Sequence, residues 1–239
     1  MGQKRLFLCL MAEEYQKSTD KVKLNLVTVK RSRASSIRMD NAETWPAWLQ
    51  FLLYPRPLGR QQFFTMRIVL WLAMIFFTVQ LFGNGYDAFI AQYLHCLNLP
   101  VHESGHIVFG IFGSPVITSL GGSLFQIIMP LVFCFALWIK PRDLLGASVG
   151  LWWSFENFID VAPYIDDAIR MQLMLISGGT GAEAPYGFHD WNFILVETGL
   201  LVKCSTIANA VYAIGYLGMT LCCLWAGWSL FYYWKYQRE

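Results

Sequence analysis

Residues 101–110, VHESGHIVFG, hold two of the chain's four histidines within five positions, with a glutamate between them. Positions i and i+4 share one face of a helix, so His102 and His106 can present two imidazoles to one ion. Glu103 completes the pattern H-E-x-x-H, in which two histidines hold Zn²⁺ and the glutamate takes a proton from water attacking a carbonyl. Gly105 has no side chain and leaves room for close backbone approach. A blander explanation would make these three residues hydrogen-bonding groups of a helical bundle. It must then place ionisable groups at membrane depth, where they are costly unless functional. Zinc is the expected cofactor, although other divalent ions also accept histidine and carboxylate ligands.

An open zinc site needs a third protein ligand. His189, in GFHDWNF, and Asp160, in ENFIDVAPYIDDA, are the main candidates, with Asp166 and Asp167 in the same stretch as Asp160. His189 is favoured by a small margin because imidazole is the commonest neutral ligand and the expected topology puts it on the same membrane face. Its neighbour Asp190 is then the carboxylate that orients the ring. Asp160 lies one turn from Glu156 and serves either as a ligand or, with Glu156, as support behind the ligands; it could equally pair with Arg170. His95 belongs at the interface.

Those residues must be carried by helices in lipid. The chain has 239 residues, 56% hydrophobic, 16% aromatic and 14% charged, and a mean hydropathy of +0.41. Soluble domains carry roughly 25% charged residues, so this composition is that of an integral membrane protein. Nine of the 18 Lys and Arg fall in the first 40 residues, where the sequence is polar and aperiodic. Residues 1–44 therefore read as a basic cytoplasmic extension, and 45–239 as one transmembrane domain. LFLCLMA, at 6–12, is barely long enough for a signal core and is followed by acidic residues, so cleavage is not expected. Met39 is an alternative start. The six cysteines show neither CxxC spacing nor a disulfide framework and read as structural.

The fold class expected is all-α: a polytopic bundle of about four full spans with interfacial or half-membrane helices. The spans fall at 63–83, 116–139, 144–164 and 205–234. Residues 45–60 mix Trp, Pro and Arg as an interfacial segment does. The stretch 83–100 ends in Pro100 and reads as a second interfacial segment, leaving VHESGHIVFGIFG too short to cross alone. GGSLF, at 121–125, reads as close helix packing. The positive-inside rule puts both termini and the loop KPRD, at 140–143, in the cytoplasm. The HESGH motif, the end of the third span and the polar loop 165–190 then meet at the outer face.

VHESGHIVFGIFG, ITSLGGSLFQIIMP, NFIDVAPYI and HDWNFILVETGLL together resemble a family of largely uncharacterised bacterial integral-membrane proteins with an HEAGH-type motif and an HDW motif. The likeness covers roughly residues 45–235. That family is distantly similar, in its metal motif, to the site-2-type intramembrane zinc metalloproteases. The resemblance implies His102 and His106 as zinc ligands, Glu103 as base and Asp160 as the ligand aspartate, in a bacterial inner membrane. Asp160 is followed here by Val-Ala-Pro, where the site-2 proteases have Asp-Gly.

Two functions compete on this reading. One is a membrane-embedded zinc-dependent hydrolase, most simply a peptidase acting on a peptide or membrane protein, with Glu103 as general base. The other is an accessory subunit of a larger membrane complex, with a structural or lost metal site and partner subunits against its aromatic helices. Membrane lipid is a partner either way. No phosphate-binding glycine loop or basic-aromatic surface is present, so nucleic acid is not expected.

Overall fold

The computed structural model describes residues 46–54, 63–84, 89–176 and 178–237. The basic extension 1–44, the LFLCLMA patch and the later part of the segment 45–60 lie outside the described residues. Among those described, the structure is all-helical except for turns and one isolated bridge between Met174 and Thr180. The chain divides into two units, residues 1–52 with Glu239, and residues 53–238. Helix α1, Ala47–Leu53, has no buried residue, and Trp48 on it is exposed.

The larger unit contains α2 (Phe64–Asn84), α3 (Phe89–Gly110), α4 (Pro115–Ile139), α5 (Leu144–Asp166), the short α6 (Asp190–Glu197) and α7 (Cys204–Gln237). Three helical segments are long and apolar enough to cross a membrane: Phe64–Phe82, Pro115–Ile139 and Leu201–Lys235. Helix α5, at 23 residues, is about 35 Å long and also long enough, but it is not among them. Its environment explains this. α5 packs between α4 and α7, and Leu144, Ala147, Ser148, Asn157 and Ala162 on it are wholly buried. A helix wrapped by other helices meets protein rather than lipid, so it can carry Ser154, Glu156, Asn157 and Asp160 where a lipid-facing helix could not.

One expectation is corrected by the course of α3. Residues 89–100, the described part of the expected interfacial segment beyond α2, are not separate from VHESGHIVFG: the two share one helix, Phe89–Gly110, that runs through Pro100. Proline removes a single backbone donor and disturbs the carbonyl four residues earlier. Those losses are tolerated inside a membrane helix when neighbours re-satisfy the freed groups. The carbonyl of Pro100 itself accepts from the Ser104 hydroxyl at 2.7 Å.

Small residues set the approach of α3 to α4. A Cβ on Gly105 would fall 2.3 Å from the carbonyl oxygen of Gly121, and one on Gly121 would fall 2.4 Å from Cβ of Phe109. The two helices are joined by a four-residue turn in which Gly113 takes φ +69°. Ser114 caps α4, its hydroxyl accepting from the Ile117 N–H at 3.5 Å.

At one end of the bundle Arg67 donates twice to Asp143, each at 2.9 Å, and lies 5.4 Å over the Tyr233 ring. That end carries the start of α2, the start of α5 with Arg142, and the end of α7 with Lys235. Arg67 thus has protein partners at the start of α5 and on α7 at this end. The five described cysteines, Cys96, Cys134, Cys204, Cys222 and Cys223, are free thiols, four of them buried.

Candidate metal centre

The other end gathers the polar side chains. α3 brings His102 and His106 onto one face, with ring centroids 4.9 Å apart. Across from them stands Asp190, the first residue of α6. Its Oδ2 is 3.3 Å from Nε2 of His102 and 3.4 Å from Nε2 of His106. These three groups form a cluster whose ligand atoms all lie within 4.8 Å of one another.

The remaining ring nitrogens decide what this cluster can do. Nδ1 of His106 donates to the Thr118 carbonyl at 2.9 Å. Nδ1 of His102 donates to Oε1 of Gln126 at 2.6 Å. The Gln126 amide cannot be turned the other way round, because its nitrogen donates to Oδ1 of Asn157 at 2.9 Å and to Oδ2 of Asp160 at 3.2 Å. Both imidazoles therefore carry their hydrogen on Nδ1, and in a neutral ring Nε2 is then a bare lone pair. Two such lone pairs facing one carboxylate oxygen repel unless a proton or a metal cation lies between them. For Zn–N and Zn–O bonds of about 2.0–2.1 Å, tetrahedral ligands sit about 3.3–3.4 Å apart. The two histidine–Asp190 spacings match, so the donor set fits zinc in charge and ligand type and, at those two pairs, in distance.

Gly122 is what makes room for the rings. A Cβ there would lie 2.4 Å from Nε2 of His102 and 2.7 Å from Cε1 of His106. Asp190 is held by Tyr164, whose hydroxyl accepts from the Asp190 N–H at 3.0 Å and approaches Oδ2 at 3.5 Å. Where a proton sits on Nε2 of either ring, Asp190 accepts from it; burial would raise the Asp190 carboxyl, but these hydrogen bonds outweigh that and hold it below the ordinary carboxylate range.

His189 does not join this group. It caps the N-terminus of α6: its Nδ1 accepts from the Asn192 N–H at 3.2 Å, so its hydrogen is on Nε2, which faces Oδ2 of Asp167 at 3.4 Å. Both ring nitrogens are engaged, the ring is buried, and burial lowers its pKa. The expected roles of the adjacent pair are exchanged: Asp190 meets the two histidines, and His189 is the structural residue. The next two residues are anchors. Trp191 donates to the Ser123 hydroxyl at 3.1 Å, and Asn192 donates to the Ala168 carbonyl at 2.8 Å.

Asp160 stands behind the cluster rather than in it. Its Oδ1 meets Nδ1 of His95 at 2.8 Å, and its Oδ2 accepts from Asn98 at 3.1 Å as well as from Gln126. Asn98 also donates to Glu156 at 3.0 Å. Asp160 and Asn157 thereby orient Gln126, which orients His102, a support that metal-binding histidines commonly have. Arg170, a conceivable partner of Asp160, pairs instead with Asp166 at 2.6 Å. Asp167 accepts from the N–H groups of Gln172 and Leu173 at 3.0 and 2.8 Å.

Glu103 lines the cavity that contains the cluster, a space of about 720 Å³. Its carboxylate has no hydrogen-bond partner among the described residues. Sequence reasoning missed Gln126, Tyr164, Gly122 and the Thr118 carbonyl. Gln126 had a signal, an amide inside the apolar run LFQIIMP; a backbone carbonyl has none.

No protein-family model matches the chain, and comparison with curated proteins and with solved structures finds no match either.

Proposed function

We propose that this protein is a membrane-embedded, zinc-dependent hydrolase that cleaves an amide or ester bond, with His102, His106 and Asp190 as ligands and Glu103 as general base. The observation that carries this reading is the pair of Nε2 atoms turned on one carboxylate oxygen, each fixed by a hydrogen bond on the far side of its ring. When bound, zinc supplies Lewis acidity toward a carbonyl and toward water. Glu103 accepts a proton from the attacking water, whose oxygen bonds to the carbonyl carbon. The carbon–nitrogen or carbon–oxygen bond then breaks, and Glu103 returns the proton to the leaving atom. Tyr164 keeps Asp190 in place, and Gln126 keeps His102 in the tautomer that can bind.

The same reading takes α5 as a fourth span, places both termini and the Arg67–Asp143 end in the cytoplasm, and turns the cluster toward the outer face of a bacterial inner membrane. The arginines and lysines at that end support this orientation. A cysteine at the exposed Glu183 is expected to react with an impermeant thiol reagent in intact cells; labelling only after lysis reverses the topology.

Metal analysis of the detergent-purified protein tests the centre. Wild type and Glu103→Gln are expected to hold about one zinc per chain, as a three-ligand catalytic site does. Only the wild type is expected to turn over a panel of fluorogenic amides and esters. A Glu103→Gln variant as active as wild type removes the hydrolase and leaves a structural metal in an accessory subunit.

A further inference from the structure

The cavity at the metal centre is two-sided. Its polar wall is built from His102, His106, Asp190 and Glu103. Its apolar wall comes from Leu99 and Val161 and from a turn-bridged segment at Leu173, Met174, Leu175 and Ile176. That segment is held in place: Asp167 accepts from its base at Gln172 and Leu173, the Leu175 N–H donates to Gly179 at 2.9 Å, and Met174 bridges to Thr180. His189, buried against Asp167, supports the same base.

Exposure is what sets this wall apart. Met174 is 73% exposed, Ile176 66% and Phe188, across the opening, 57%. These residues are not on membrane-spanning helices, where exposed apolar side chains meet lipid. Non-helical backbone is excluded from the hydrocarbon layer, and the half-buried Asp166 with the exposed Arg170 and Glu183 nearby mark a polar surrounding. Apolar side chains fixed at the mouth of a cavity in such a place mark a binding surface. A volume of about 720 Å³ is that of a small-molecule site, within the usual 300–1,000 Å³. Beyond Glu103 and His106, Ile107 on α3 and Ile111 and Phe112 in the turn after it are also exposed and extend the apolar surface away from the cluster.

We infer that the substrate is an acyl amphiphile of the membrane, with an amide or ester carbonyl directed to the His102–His106–Asp190 cluster and an acyl chain lying against Leu99 and the Leu173–Ile176 segment. The inference rests on the hydrolase reading for the position of the carbonyl, and takes the chain's place from the apolar wall. Cleavage releases a fatty acid and a polar amine or alcohol, which leave by different routes: the acid into lipid, the polar product into water.

The test uses full-length protein in detergent, loaded with Co²⁺, whose visible spectrum reports its ligands. Linear alkyl hydroxamates from two to ten carbons supply a metal-binding head and a growing tail, with free concentrations fixed by equilibrium dialysis. Affinity is expected to rise about three- to four-fold per added methylene over the first several carbons, and Met174→Asp is expected to bring the long-chain compounds down toward the acetyl one. Affinities independent of chain length, with the cobalt spectrum responding to each compound, overturn the amphiphile and leave the metal centre standing. A hydrophilic peptide hydroxamate that outcompetes the ten-carbon compound overturns it in favour of a peptide substrate. Absence of any cobalt spectrum in wild type overturns the metal centre, and the proposal falls with it.

Discussion

His189 and Asp190 are bonded neighbours, yet they belong to two histidine–aspartate arrangements of opposite character. In the first, His189 with Asp167, the protein engages both ring nitrogens: one accepts from the Asn192 N–H and the other faces the carboxylate. In the second, His102 and His106 with Asp190, each Nδ1 is committed to the protein while each Nε2 is left to face a shared oxygen. The same residue types are closed in one place and open in the other. The difference lies in which nitrogen the surrounding backbone and amides occupy, because that choice decides whether a lone pair remains to bind an ion.

The sharpest break in that comparison is Asp190→Ala set against His189→Ala. Loss of the charged third ligand is expected to reduce zinc from about one per chain to near zero after dialysis, whereas His189→Ala is expected to keep its zinc. Equal metal loss in both would erase the distinction. Next comes Gly122→Ala, whose Cβ must displace the His102 ring. Zinc affinity measured by competition with a chelator is expected to fall about 10²-fold while the helical circular dichroism is unchanged. Gln126→Leu frees the His102 ring without touching the ligands and is expected to weaken zinc by about 10- to 100-fold. In Gln126→Glu the carboxylate still accepts from His102, so the loss should be smaller. The remaining effect is on stability rather than on metal binding. His189→Ala removes a helix cap and leaves the buried Asp167 one partner short, a cost of about 2–4 kcal/mol in thermal or denaturant unfolding. His189→Asn, which can still cap, should recover part of it.

How far this was legible depended on sequence distance. His102, Glu103 and His106 were readable because their geometry is that of one helical turn. The residue that meets them from across the fold was not, and the choice between His189 and Asp190 turned on a single residue. A polar loop followed by H-D-W-N and an apolar run is a helix start, and a residue at the cap turns toward its own backbone while the acid in the first turn is free to face outward. That reading was available from the pattern; a general preference for imidazole ligands pointed the other way. Pro100 misled for a related reason, since a proline ends most helices in water but not one whose neighbours shield it. The three apolar spans stood out by hydropathy alone. The central α5 was legible by length, while its polar residues make sense only once α4 and α7 surround it.

The tight contact between α3 and α4 also bears on the order in which the protein is made. His102 and His106 reach Gln126 and Thr118 across only 24 and 12 residues, within a hairpin closed by a four-residue turn. Contacts so near in sequence form early, because little chain has to be ordered to make them. Asp190 is 88 residues from His102 and must wait for α5 and the loop behind it to be synthesised. The two histidines are thus aligned on a preformed hairpin while the chain is still emerging, and one carboxylate arrives late to close the cluster; on the proposed zinc reading, metal capture becomes a report that the whole domain has finished assembling.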